Sequence, residues 1–131
     1  MSTPPLEALT RALLRAGRHA LSNTGGFTPI SALCDGNLQV RVNEPDPENG
    51  LEKIWARLRR KANVEDAVAM GVVAHVEVTI PGKQKPSDAL CVELHGEDAD
   101  SLRVFMPYKK GLLGQYKFGT PFTGRAPRRW N

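Results

Sequence analysis

Cysteine is scarce in this chain of 131 residues, which holds two, Cys34 and Cys91. They fall on separate expected strands and make no C-x-x-C spacing, so no zinc knuckle or disulfide framework is indicated and reduced thiols are expected. Also missing is any apolar run near the roughly 18 residues of a membrane-crossing helix. The opening Met1-Ser2-Thr3-Pro4-Pro5 lacks the basic and apolar regions of a signal peptide. The chain therefore reads as cytoplasmic, with no membrane partner expected. There is no glycine-rich phosphate loop, because Gly111-Leu112-Leu113-Gly114 has neither the spacing nor the Lys-Ser/Thr ending. Acidic residues are absent after Met106, where six of the eighteen Lys and Arg lie. The remaining twelve cations are outnumbered by fourteen carboxylates, so the net +4 comes from the tail. Such asymmetry allows a polyanionic partner, or a tail resting on the acidic turn of Glu97, Asp98 and Asp100.

What is present centres on Val72 to Met106, three alternating runs joined by polar turns. Val72, Ala74, Val76, Val78 and Ile80 share one parity; Val73, His75, Glu77 and Thr79 share the other. Leu90, Val92 and Leu94 oppose Ala89, Cys91, Glu93 and His95. Leu102, Val104 and Met106 oppose Arg103 and Phe105. A turn over Pro81 to Pro86 sets Val76 against Val92, Val78 against Leu90, His75 beside Glu93 and Glu77 beside Cys91. The second turn, Gly96 to Asp100, sets Leu94 against Leu102, Val92 against Val104, Glu93 against Arg103 and Cys91 against Phe105. A polar row of His75, Glu93 and Arg103 is expected across a wet sheet face.

Upstream, a first helix starts near Thr3, whose hydroxyl can cap it, with Pro4 at its first position and Gly25-Gly26 as its stop. Leu6, Leu9, Leu13, Ala16, Ala20 and Leu21 form its apolar stripe, and Arg11, Arg15 and Arg18 its solvated face. Phe27 to Cys34 and Leu38 to Val42 read as strands joined by an Asp35-Gly36 turn. Pro29 is expected near a strand end or on a sheet edge, since it cannot donate to a ladder. A second helix, capped by Asp46 with Pro47 behind it, buries Leu51, Ile54, Trp55, Leu58 and Ala62 and exposes Lys53, Arg57, Arg60 and Lys61. Residues 115 to 118 suggest a short sixth strand.

This order predicts an α+β fold: a single five-stranded antiparallel sheet, order 2-1-5-4-3, with two helices packed on its apolar face. A single domain spans 1–107, and 108–131 is a basic, aromatic-containing C-terminal extension. The element order over residues 3–107 resembles the profilin, roadblock and longin class of sheets, a resemblance that implies a scaffold and no activity. The stretches Phe27-Thr-Pro-Ile-Ser-Ala-Leu-Cys-Asp-Gly and Val104-Phe-Met-Pro-Tyr-Lys-Lys also resemble a group of short bacterial proteins. That likeness implies no site residue.

The candidate chemistry lies in one polar-face cluster, His75, Glu77, Cys91, Glu93, His95 and Arg103. Two histidines and a carboxylate are types that hold metals, and a thiol near histidine is a type that attacks carbonyls. The bland reading is a set of cross-strand charge pairs, each worth about 0.2 to 1 kcal/mol. His75-Val76-Glu77 matches the H-x-E of zinc deaminases, but the P-C-x-x-C that must follow is missing. A second set, Lys109, Lys110, Lys117, Arg125, Arg128 and Arg129, interleaves with Tyr108, Tyr116, Phe118, Phe122 and Trp130. It suits nucleic-acid binding or a tail pinned to the body by its aromatics. The expected function is a non-enzymatic interaction or scaffold module, self-associating as a homodimer through the edge strand Val72 to Ile80. Behind it stand a weak, non-specific nucleic-acid binder and a small metal-dependent or thiol enzyme. No cofactor is expected.

Overall fold

The computed structural model describes residues 3–25, 28–43, 50–98, 101–127 and 129. Among these, the order is α1 (Pro4–Thr24), β1 (Ile30–Cys34), β2 (Val40–Val42), α2 (Leu51–Val64), β3 (Ala69–Thr79), β4 (Pro86–Gly96), β5 (Ser101–Lys110), β6 (Tyr116–Phe118) and β7 (Phe122–Gly124). The fold is α+β, and every strand pairing is antiparallel.

The strands run β2-β1-β3-β4-β5, and β6 and β7 share the far side of β5. This corrects the expected order 2-1-5-4-3: β1 joins the β3 side of the meander, not the β5 side. Two things decide the difference. The first is the run Ala69-Met70-Gly71-Val72-Val73, buried on both parities. Such continuous apolarity marks a strand flanked by neighbours and covered on both faces, which an edge strand is not. The second is that β5 receives its own partner from downstream. Tyr108 pairs with Phe118 and Phe105 with Phe122, so residues 116–124 form an interrupted strand with one extra residue between its halves, a bulge. The short sixth strand is present at Tyr116–Phe118, and β7 was not expected.

The two helices lie on opposite faces, where one common face was expected. The α1 leucines Leu6, Leu9, Leu13 and Leu21 pack with Ile30, Val73, Leu90, Val92, Leu94 and Val104. Helix α2 packs Ile54, Trp55, Leu58 and Ala62 onto Leu33, Met70 and Val72, which point the other way. Gly71 lets α1 come close: a Cβ there would sit 2.8 Å from Leu13 Cδ1. Leu51 is exposed, and Val76 and Val78 are half-buried, so the single expected core of α2 and meander residues is two cores.

The β4–β5 register is as expected, with Val92 against Val104 and Glu93 against Arg103. The β3–β4 register is not. Val73, not Val76, opposes Val92, and Val76 opposes Ala89. Pro81 and Gly82 occupy the corners of a turn closed by Lys83 N–H donating to Ile80 O at 2.9 Å, with Gly82 at φ 83°. Strand pairing then ends at Thr79–Pro86, leaving a six-residue loop and a shift of odd size. An odd shift moves each side chain of β3 to the opposite face.

Smaller corrections are local. Thr3 holds the N-cap position of α1 without a side-chain hydrogen bond, whereas Gly25 ends the helix as expected, its N–H on Leu21 O. Helix α2 starts after Gly50; Asp46 and Pro47 lie outside the described residues, as do Phe27 and Gly26. The β1–β2 turn is made, but Leu38, not Gly36, carries the positive φ, at 65°. The Asp35 carboxylate accepts the Asn37 and Gln39 N–H groups and holds that conformation, so β2 begins at Val40.

Candidate functional site

The face covered by α2 carries the strongest polar feature of the molecule. Its centre is Glu93 on β4, buried beneath the helix with 7% exposure. Its Oε1 accepts Arg103 Nε at 3.0 Å, and its Oε2 meets His95 Nε2 at 2.8 Å and accepts Arg129 Nε. Strand alternation puts His95 on the same face two residues on, and the β4–β5 register brings Arg103 directly opposite. Arg129 reaches in from the C-terminal segment. It also donates Nη1 to Glu52 Oε1 at 2.9 Å, and its guanidinium lies 5.0 Å from the Trp55 ring centroid. Arg59 Nη1 donates to the Arg129 carbonyl at 2.9 Å. Trp55 closes the circle edge-on to His95, centroids 5.0 Å apart.

The electrostatics follow from this packing. Burial alone would raise the Glu93 carboxyl, but hydrogen bonds from His95, Arg129 and Arg103 outweigh it and lower the group to about 2. Arg129 loses solvent too, yet its bonds to Glu52 and Glu93 raise its pKa. No buried side-chain N or O atom among the described residues lacks a partner. A carboxylate so fully engaged is a clasp that ties the C-terminal segment and α2 to the sheet.

The six residues of the expected polar-face cluster are thus divided. Cys91, Glu93, His95 and Arg103 share the α2 side, while the shifted register sends His75 and Glu77 to the other face. His75 sits opposite Leu90, 3.6 Å from Asp88, with its ring against Tyr108. The expected row of His75, Glu93 and Arg103 keeps only its last two members. Burial pushes the Cys91 thiol up to about 11, Arg103 opposing and Glu93 reinforcing the shift, so the thiol stays protonated at neutral pH. Among the described residues no three His, Cys, Asp or Glu side chains are grouped to hold a metal.

The basic set is divided as well. Lys109, Lys110 and Lys117 cluster at the far end of β5 and β6, beside the β3–β4 loop. Arg125 follows β7 beside the start of β5, Arg129 turns inward to the clasp, and Arg128 and Trp130 lie outside the described residues. Glu52, Arg59 and Arg129 belong to one cluster that the sequence does not announce. Nothing in the spacing links Glu93 to an arginine 36 positions later, and placing α2 on the other face separated it from Glu93. The tail does settle on the body through Arg129, which meets Glu93, Glu52 and Trp55; Asp100 of the acidic turn lies outside the described residues. No family model, curated protein or solved structure matches this chain.

Proposed function

We propose that this chain is a non-enzymatic interaction module that pairs with a second copy of itself through the second half of β3. The observation carrying this reading is that β1 covers β3 only over Ala69 to Val73. From Ala74 to Thr79, β3 is paired on its β4 side alone among the described residues. This open stretch lies within the edge, Val72 to Ile80, expected from the sequence. It alternates half-buried Ala74, Val76 and Val78 with exposed His75, Glu77 and Thr79.

Charge selects one register for such a pairing. A two-fold axis through Glu77 would oppose two carboxylates, which is unfavourable. An axis through Val76 opposes Val76 with its copy, Ala74 with Val78, and His75 with Glu77 twice over. That arrangement is isologous and uses only the open residues. With five residues per copy and pairs worth about 0.2 to 1 kcal/mol each, the dimer is weak. The clasp supports a scaffold reading over an enzyme, because Glu93 already spends its lone pairs on His95, Arg103 and Arg129.

Sedimentation equilibrium tests the reading. The wild-type chain should show reversible dimerisation across the micromolar range, and Val76→Lys, which opposes two lysines at the axis, should be monomeric with an unchanged circular dichroism spectrum. A wild-type chain that stays monomeric, or a dimer indifferent to Val76→Lys, would remove the proposal.

A further inference from the structure

The end of the sheet farthest from the clasp presents a different surface. Two hairpin tips project there side by side, the β3–β4 loop and the β5–β6 loop, because Pro86 and Lys110 end neighbouring strands. The second tip is a three-residue loop, Leu112-Leu113-Gly114. It is closed by Gly111 N–H on Gln115 O at 2.6 Å and Gly114 N–H on Gly111 O at 3.0 Å, with Gly114 at φ 85°. Turn corners favour Gly, Asn, Asp, Ser and Pro. Here they are leucines, 105% and 92% exposed. Sequence and local structure disagree at this point without any packing gain in the monomer, and such disagreements mark function.

Around the leucines stand five exposed lysines, Lys83, Lys85, Lys109, Lys110 and Lys117. The first four line one open groove of about 540 Å³. Among the described residues none of the five forms an ion pair, and the carboxylates at this end are Glu77 and Asp88, the latter held by His75. An apolar tip ringed by cations is complementary to a surface that is anionic outside and apolar beneath.

We propose that the β5–β6 tip docks the protein peripherally on an anionic lipid bilayer, Leu112 and Leu113 entering the headgroup–acyl boundary and the lysines meeting lipid phosphates and carboxylates. The contact proposed at this tip is with the bilayer surface; no helix among the described residues is long and apolar enough to cross a membrane. That contact departs from the expectation of no membrane partner. A single-stranded nucleic acid fits less well. Its bases need free aromatic faces, and the rings here are packed on one another. Tyr108 lies 5.7 Å from Tyr116 and 6.1 Å from Phe118, and Arg18 covers Phe118.

Cosedimentation of the full chain with vesicles tests this, using phosphatidylcholine alone and phosphatidylcholine mixed about three to one with phosphatidylserine. Binding should appear on the anionic vesicles and weaken as salt is added. The paired change Leu112→Ser and Leu113→Ser should lower partitioning at least about tenfold. Lys109→Glu and Lys110→Glu should each lower it about fivefold or more. Thermal melting of each variant confirms that it folds. Absence of binding to the anionic vesicles overturns the proposal, as does binding that ignores the leucines. Binding of a deoxythymidine oligonucleotide that depends on the same lysines, without vesicle binding, assigns the groove to nucleic acid instead.

Discussion

The two ends of the sheet handle charge in opposite ways. At the α2 end, Glu93 is buried and met by two arginines and a histidine, and Trp55 stacks under the guanidinium of one of them. At the hairpin-tip end, five lysines and two leucines face solvent. A buried charge is tolerated only when its hydrogen-bonding capacity is met, so the first set belongs to the fold. Exposed cations without an ion-pair partner among the described residues are free to meet something else. The sequence shows both as polar or basic stretches; burial and partners are what separate structure from surface.

The contrast breaks most visibly if Glu93 is changed. Glu93→Ala leaves Arg129, His95 and the half-buried Arg103 facing a void, and should destabilise the protein by about 3 to 5 kcal/mol in urea unfolding. Acid gives a second reading of the same group. Because Glu93 is lowered to about 2 from 4.5, its contribution is fully present above about pH 4.5 and is lost as pH falls through 2. The loss is on the order of 3 kcal/mol. Glu93→Gln should show a stability–pH slope flattened over that window; an unchanged slope would assign the acid sensitivity to other carboxylates. Arg129→Ala should cost less, about 1 to 2 kcal/mol, since Glu93 keeps His95 and Arg103 while Glu52 is already solvated.

How much of this was legible depends on whether the signal was local. The periodicity of α1 placed Leu6, Leu9 and Leu13 inside and Arg11, Arg15 and Arg18 outside, as found. The β4–β5 pairing followed from a short turn and two clear alternations, and with it came the Glu93–Arg103 pair. The β3–β4 register did not follow, since the Pro81-Gly82 corner leaves several loop lengths open and both parities of the run near Val72 are apolar. That run, Ala69 to Val73, did carry the information that β3 is flanked and doubly covered. Its length and lack of alternation argue for two helix layers, and therefore against two helices on one face. The clasp was beyond reach for another reason. Arg129, Glu52 and Glu93 come from three distant segments, and only the chain's path brings them together.

The smallest effect is expected at the tip, and it sharpens the contrast most. Leu112→Ser with Leu113→Ser should leave stability within about 0.5 kcal/mol of wild type, because neither side chain has surface left to lose to water. Serine suits turn corners better than leucine does, and Gly114, at φ 85°, still supplies the left-handed residue that the loop requires. Urea midpoints decide between the readings. A loss above about 1 kcal/mol would mean that the leucines pack in solution, and the tip would then belong to the fold as the clasp does. An unchanged midpoint together with lost vesicle binding separates the two ends fully: charges at one hold the chain to itself, and at the other they are held out to a surface.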